Sequence, residues 1–183
     1  MTHRTTLASR LRVLTGIALV GLLSACSTID RGTAPALEKN ASWAVLPFEN
    51  HTETPMAGNR AAAIATALIN ARGVGQVKRY TGDALQETLF DGREAKRRDD
   101  ALAWARGEGV RYALTGAVDE WRYKVGVDGE PAVGVTLEIV DVGTGATVWS
   151  GAGAQSGWSR EALAAVGQKL IRNLLGTGLA NAR

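Results

Sequence analysis

Cysteine and histidine are nearly missing from this 183-residue chain, which contains one cysteine and two histidines. A single cysteine excludes an internal disulfide, so the fold must be stabilised by packing. His51 is the only histidine beyond residue 25, which argues against a histidine-based metal site and against a serine–histidine–aspartate triad. We therefore expect no metal ion and no cofactor.

The chain also carries no net charge once the first 25 residues are excluded. The whole chain has 21 basic and 18 acidic residues. Three of the basic residues, Arg4, Arg10 and Arg12, precede residue 26, and no acidic residue does. The remainder therefore carries 18 basic and 18 acidic side chains. This balance argues against nucleic-acid binding and against a polybasic membrane patch, both of which need an excess of positive charge.

The amino-terminal segment has the pattern of a secretory signal peptide. Its apolar run over 13–23, at 11 residues, is too short to span a bilayer. The sequence Leu23-Ser24-Ala25-Cys26 that follows resembles a bacterial lipobox, in which the cysteine receives acyl chains such as palmitate. The alternative is an ordinary signal peptide and a chance cysteine, but a lone thiol is a liability in an oxidising compartment. Ser27 after the cysteine predicts sorting to the inner leaflet of the outer membrane, facing the periplasm.

Composition divides the chain into four parts. We predict a lipoprotein signal peptide at 1–25, the lipidated Cys26 and a flexible tether at 26–41, a single periplasmic α/β domain at 42–176 and a frayed tail at 177–183. The tether is polar, mixed in charge and without periodicity, and about 15 extended residues reach at most ~50 Å. The domain is therefore expected to work close to the membrane.

The first half of the domain has the pattern of a β-α-β crossover. Strands are expected at 42–48 and 76–80, and helices at 54–71, 83–90 and 93–106. Thr54 and Pro55 match a helix N-cap and first turn, and Gly73 matches the position after a helix end. The helix at 54–71 has a face made mostly of alanine, so its partner must approach closely. We interpret the basic cluster at 93–98 as a solvated helix face.

In the second half of the domain, apolar residues recur at every second position. Strands are predicted at 110–124, 132–142 and 146–155, and their short links favour an antiparallel meander. A helix follows from Ser159, with one apolar stripe, and Gly176 is expected to end it. The predicted fold class is α/β: a mixed sheet with an early β-α-β crossover, then a three-strand antiparallel meander, with helices packed on the sheet.

Three segments together resemble a known family: WAVLPFEN at 43–50, YALTG at 112–116 and TVWSG at 147–151. The first two are similar to lipoproteins with a TolB-amino-terminal-like or CsgG-like α/β domain, and residues 26–175 as a whole resemble the PelC lipoproteins. The resemblance implies a non-enzymatic, homo-oligomeric ring of about a dozen subunits beneath the outer-membrane porin PelB. Such a ring is expected to guide a cationic amino-sugar polymer during Pel exopolysaccharide secretion and biofilm formation.

Trp149 is the candidate membrane-contact residue. A period of two places it opposite Val148, so with Val148 inward the indole faces outward, where it suits a membrane interface. The resemblance strengthens this interpretation. The alternative is a tryptophan packed under a helix. The other tryptophans are interpreted as core or subunit contacts; they are Trp43, Trp104, Trp121 and Trp158.

Acidic residues concentrate between 119 and 141 and are the candidates for a polysaccharide-facing surface. They are Asp119, Glu120, Asp128, Glu130, Glu138 and Asp141. Repeated around a ring axis, such a surface would focus a negative field on a cationic polymer. The alternative is an ordinary solvated sheet face. Strand alternation predicts that Asp119 and Glu120 point to opposite faces, so only one can line a given surface.

Two other functions are compatible with parts of the sequence. A periplasmic lipoprotein that activates a peptidoglycan synthase, of the LpoB kind, would be a monomer, although its tether is usually long and proline-rich. Paired carboxylates such as Glu49 with Glu53, or Asp99 with Asp100, could hydrolyse glycosides. Nothing in their spacing selects them, so we predict that the protein is not an enzyme.

Overall fold

The computed structural model describes residues 27–38, 40–80, 82, 92–126 and 129–182. Its strands are β1 (Ser27–Arg31), β2 (Trp43–Asn50), β3 (Val77–Arg79), β4 (Tyr112–Tyr123), β5 (Pro131–Asp141) and β6 (Thr147–Ser156). Its helices are α1 (Ala57–Arg72), α2 (Gly92–Gly107) and α3 (Leu163–Gly178). The signal peptide, Cys26, Asp128 and the helix predicted at 83–90 lie outside the described residues.

The strands form one mixed sheet in the order β1-β6-β5-β4-β2-β3. Strand β2 lies parallel to both β3 and β4, with Trp43 opposite Val77 on one side and Tyr112 on the other. Strands β4, β5 and β6 form an antiparallel meander. The predicted fold class is therefore confirmed, because the crossover and the meander share one sheet.

Two of the helices cover one face of the sheet. The apolar stripe of α3 is buried through Val166, Leu170, Ile171, Leu174 and Leu175, as the sequence predicts. The alanine face of α1 is also buried, at Ala57, Ala61 and Ala65. Helix α2 packs on the other face, where Ala101 and Ala105 meet Ala44 and Leu46 of β2. On that second face the β6 residues Ser150, Ala152 and Ala154 are exposed.

Helix α1 begins later than the sequence predicts. It starts at Ala57, after Met56 in a left-handed conformation with φ 62°, and no side chain caps it. The predicted cap, Thr54, instead donates its hydroxyl to the carbonyl of Trp121. The other end is confirmed, since Gly73 takes the left-handed conformation with φ 63°. A tertiary hydrogen bond therefore replaced the local cap.

Helix α3 likewise starts at Leu163 rather than next to Ser159, and it continues past Gly176 to Gly178. The predicted frayed tail at 177–183 is wrong for its described part. Leu179 and Ala182 are buried, and the side-chain amide of Asn181 donates to the carbonyl of Pro35. The tail is ordered because it packs against the segment that follows β1.

The prediction of a flexible tether at 26–41 is also wrong for its described part. Residues Ser27–Arg31 form edge strand β1, which pairs antiparallel with β6 and sets Ser27 opposite Gln155. Further along, Leu37 and Ala41 are buried in the main core. The free edge of β6 supplies backbone partners that no local pattern in the polar segment reveals. Ser27, the first described residue, is consequently part of the folded domain.

No helix within the described ranges is long and apolar enough to cross a membrane.

Candidate functional site

A β-bulge in β4 brings two of the predicted acidic residues to the same face. The pairing of β4 with β5 shifts between Val118 and Glu120, so Asp119 is the extra residue. Both acidic side chains leave toward Gly134: a Cβ added there would lie 3.4 Å from that of Glu120 and 3.8 Å from that of Asp119. The prediction of opposite faces is therefore wrong, because a bulge breaks the alternation.

The end of β2 adds two more polar residues beside the bulge. The backbone amide of His51 donates to the carbonyl of Val118 over 2.9 Å, which fixes His51 next to β4. Its Nδ1 lies 3.0 Å from Oδ1 of Asp119, and its Nε2 lies 3.2 Å from Oε2 of Glu49. We call Glu49, His51, Asp119 and Glu120 the acidic bulge cluster.

The imidazole of His51 is favoured in its charged form. The hydrogen bond with Asp119 is the largest cause that raises the pKa of His51 above 6.5, and the hydrogen bond with Glu49 adds to it. Two carboxylate neighbours require both ring nitrogens to donate, which only the imidazolium does. Asp119 also accepts a hydrogen bond from the hydroxyl of Thr136 over 3.3 Å. The cation of His51 therefore offsets part of the negative charge of the cluster.

His51→Gln is expected to destabilise the protein more at pH 6 than at pH 8.5. The folded pKa lies above the unfolded value, so the stabilisation is fully present below about 6.5 and disappears as the pH rises through the folded pKa. The effect should stay below about 1 kcal/mol because exposed ion pairs are screened. Denaturant unfolding of both proteins at the two pH values measures it, and an equal difference at both values would contradict the prediction.

A shallow cleft adjoins the cluster. Its walls come from the loop after β2 and from the bulge; they are Thr52, Glu53, Thr54, Pro55, Asp119, Glu120, Trp121 and Arg122. Arg122 lies 3.0 Å from the Glu120 carboxylate, while Glu53 is exposed. The cleft thus extends the acidic surface to include Glu53.

Three of the other predicted acidic residues lie within the described part of the chain. Glu130 is exposed just before β5, whereas Glu138 is paired with Arg98 of α2 over 2.7 Å. Asp141 is buried at the far end of β5, where the amide of Thr144 and then the guanidinium of Arg111 hold its pKa below the usual range. Glu138 and Asp141 are therefore each held in an ion pair with an arginine.

Trp149 is buried, so the predicted outward indole is wrong. It is 4% exposed and lies opposite Ile139 of the core. Its Nε1 donates to the carbonyl of Gly32 over 3.2 Å. The register shift after Ile139 makes Val148 the extra residue, and Val148 is the side chain that faces solvent. Membrane contact is therefore not available to this indole in the folded subunit.

The acidic bulge cluster combines three carboxylates with one imidazole at the edge where β2 and β4 end. No group of His, Cys, Asp and Glu side chains in the described part of the chain is arranged to hold a metal ion. Asp99 and Asp100, one of the two carboxylate pairs considered for hydrolysis, are exposed on α2. Sequence reasoning missed the roles of Glu49 and His51, although parallel strands β2 and β4 end at one edge and could have indicated them.

Comparison with known proteins gives concordant relationships. The family model "Peptidoglycan-synthase activator LpoB" matches residues 36–154. A dodecamer of a PelC point variant from Paraburkholderia phytofirmans is 41% identical, covers 84% of this chain and 98% of its own, and superposes with a TM-score of 0.72. A second PelC dodecamer from the same organism is also 41% identical, with coverages of 83% and 96% and a TM-score of 0.70.

More distant similarity extends only to the fold. Lipoprotein GNA1162 from Neisseria meningitidis is 18% identical, with 77% of this chain and 99% of that chain covered and a TM-score of 0.51. No curated protein sequence matches the chain significantly. Neither PelC nor LpoB is an enzyme family. With 41% identity to PelC across most of both chains, and with the LpoB family model over residues 36–154, the chain belongs to the PelC family of the LpoB-like superfamily.

Proposed function

We propose that the protein is an outer-membrane lipoprotein that forms a ring on the periplasmic face and guides the cationic Pel exopolysaccharide to its pore. The observation that carries this proposal is the 41% identity to PelC dodecamers over 84% of the chain. Cys26 would carry the lipid anchor, and the porin PelB would be the partner above the ring. The assembly would contribute to polysaccharide secretion and biofilm formation.

The acidic bulge cluster gives this ring a chemical means of guiding the polymer. In a dodecamer such as those of the relatives, twelve copies of the cluster would surround the axis. Repeated carboxylates around one opening focus a negative field, which concentrates cations there. The side chain of Asp119 is 51% exposed even though it contacts His51, so it stays accessible to amino groups. Each exposed contact contributes less than about 1 kcal/mol, which lets a polymer slide.

Asp119→Lys is expected to lower polymer export about tenfold, the lower end of the enhancement that a focused field provides. The new cation would face His51 and repel both the imidazolium and the amino sugars. Secreted polymer from cells that carry the variant measures the effect, and the native mass of the extracted protein shows whether assembly persists. Asp100→Lys, an exposed charge reversal on α2, is the matched control and should leave export unchanged.

Two results would contradict the role of Asp119. The first is export at the wild-type level in the Asp119→Lys strain. The second is an equal loss with Asp100→Lys, because a general effect of charge would then explain both variants. Loss of the assembly itself would attribute the defect to folding or subunit contacts instead.

A second candidate function rests on the family model for peptidoglycan-synthase activators. An activator of that kind would act as a monomer on a cell-wall enzyme, and the acidic bulge cluster would need no repetition. Native mass of the lipidated protein in mild detergent separates the two candidates. One large closed assembly supports the ring, whereas a monomer that persists at high concentration on lipid supports the activator and directs attention to periplasmic synthases.

A further inference from the structure

The side chain of His51 lies between two carboxylates on a backbone that is fixed by hydrogen bonds. Its Nδ1 lies 3.0 Å from Asp119 of β4, and its Nε2 lies 3.2 Å from Glu49 of β2. The amide of His51 donates to the carbonyl of Val118, and the hydroxyl of Thr54, three positions on, donates to the carbonyl of Trp121. A change in the protonation of His51 therefore acts on side chains and leaves this loop backbone in place.

A neutral imidazole cannot keep both of these contacts. It has one N–H donor and one nitrogen lone pair, whereas an ionised carboxylate only accepts hydrogen bonds. The nitrogen that loses its proton then faces a carboxylate oxygen without a hydrogen between them, so one contact must open. The contact with Asp119 is the shorter one, and Asp119 is also held by the hydroxyl of Thr136 over 3.3 Å. The contact with Glu49 is therefore the one expected to open.

Glu49 has a second cation beside it, on helix α2. It lines a small pocket together with Arg97 and Arg98. Arg98 is paired with Glu138 over 2.7 Å, whereas Arg97 makes no ion pair with any residue that the structure describes. The side chain of Glu49 is 35% exposed, and Arg97 is half-buried, so an attraction between them is screened less than one between fully exposed groups. Glu49 can therefore exchange one cationic partner for the other.

The elements around the imidazole all carry charged side chains. They are Glu49 of β2, Glu53 of the following loop, Asp119, Glu120 and Arg122 of β4, Arg97 and Arg98 of α2, and Glu138 of β5. The hydrogen bond with Asp119 is the largest cause that raises the pKa of His51, burial lowers it, and the hydrogen bond with Glu49 raises it again. His51 is therefore charged below a folded pKa that lies above 6.5, and it becomes neutral as the pH rises through that value.

We infer that the proton on His51 controls a carboxylate exchange, in which Glu49 pairs with the imidazolium when His51 is charged and turns to Arg97 of α2 when His51 is neutral. The exchange links the acidic bulge cluster to helix α2. It deepens the proposed function and rests on it for its consequence. Loss of the imidazolium leaves the cluster more negative at higher pH, with Asp119 still in place, so the attraction for a cationic polymer increases.

Hydrogen–deuterium exchange at the Cε1 position of the imidazole measures this proton in the full-length protein extracted in mild detergent. Mass spectrometry of the peptide around residue 51 assigns the signal, because His51 is the only histidine beyond residue 25. Arg97→Gln removes the competing cation, so the midpoint of the pH profile should rise by about 0.3 pH units, as expected for screened charges. Lys96→Gln removes an exposed cation of the same helix and is the matched control, with an expected change below about 0.1 pH units.

Glu49→Gln distinguishes the exchange from direct repulsion between Arg97 and His51. This variant alone should lower the midpoint by about 0.5 pH units, because one acceptor of the imidazolium is lost. In the Glu49→Gln background, Arg97→Gln should change the midpoint no more than Lys96→Gln does. An equal rise from Arg97→Gln in both backgrounds, or an Arg97→Gln profile that coincides with the wild type, would overturn the inference.

Polymer export at pH 6 and pH 8 tests the consequence for guidance. The ratio of secreted polymer at pH 8 to that at pH 6 should be about twofold larger in the wild type than in His51→Gln, because the variant has no cation to lose. Charge changes of the polymer itself affect both strains alike. Equal ratios would overturn the regulation of guidance by His51. The exchange profile is measured without polymer, so wild-type export in the Asp119→Lys strain, which contradicts the proposed function, would leave that profile unchanged as evidence.

Discussion

Trp149→Ala is expected to lower the free energy of unfolding by about 3–5 kcal/mol, the usual cost of emptying a large aromatic site in a core. The indole is 4% exposed and fills the space between β6 and the end of α3. A Cβ at Gly178 would lie 2.9 Å from the ring, and one at Gly151 would lie 2.8 Å away. The surrounding backbone is too close to collapse further without strain.

The same change is expected to release β1 from the sheet. The indole Nε1 donates to the carbonyl of Gly32, directly after β1, so the ring ties the edge strand to β6. Denaturant unfolding measures the overall loss. Hydrogen exchange of the Asp30 amide measures the local one, because alternation from the Gly32–Ser150 hydrogen bond turns that amide toward β6. Trp149→Phe is the control, because it keeps most of the apolar volume and removes only the hydrogen bond, at about 1 kcal/mol.

Unchanged stability of Trp149→Ala together with weakened vesicle binding would contradict this account. Such a result would mean that the indole contacts lipid rather than the core.

Gly58→Ala is expected to destabilise the protein by about 1–3 kcal/mol, although alanine is the better helix former by about 1 kcal/mol. The Cβ of an alanine would lie 2.3 Å from the carbonyl oxygen of Phe48. That atom belongs to the backbone of β2, so it cannot rotate away as a side chain does. Helix α1 would have to move off the sheet, and the loop that carries His51 would move with it.

Gly176→Ala provides the matched comparison. Gly176 is exposed in α3, and the nearest atom to its added Cβ is 3.9 Å away, at the end of the Arg72 side chain. This variant should be neutral or up to about 1 kcal/mol more stable than the wild type. If both variants change stability equally in chemical denaturation, helix propensity explains the effect of Gly58→Ala, and the close approach of α1 to β2 does not.

Local patterns predicted most of the secondary structure. The alternation of Val133, Val135 and Leu137 identified β5, and the stripe of α3 identified its buried face, because each pattern repeats within one element. Which side chains of β6 face the core could not be predicted in the same way. Its residues at 151–154 are glycine and alanine, so hydrophobic alternation does not distinguish the two faces. The inward position of Trp149 depends on pairing with Ile139.

The candidate site was predicted only in part for the same reason. Asp119 and Glu120 stand out as acidic residues in a strand, but a bulge depends on the pairing of β4 with β5. Glu49 and His51 lie about 70 positions before Asp119 in sequence and reach it because β2 runs parallel to β4. Sequence spacing alone carries no information about such a contact.

By itself, the sequence determined the α/β class, the secreted pattern with Cys26, the neutral charge of residues 26–183 and the resemblance to PelC, since each depends on composition or local order. Only the tertiary structure decided that β1 extends the sheet as an edge strand, that Trp149 is buried and that Trp158 is exposed. These features depend on which strand edges and helix faces meet, and the same short polar or small-residue segments are compatible with several such arrangements.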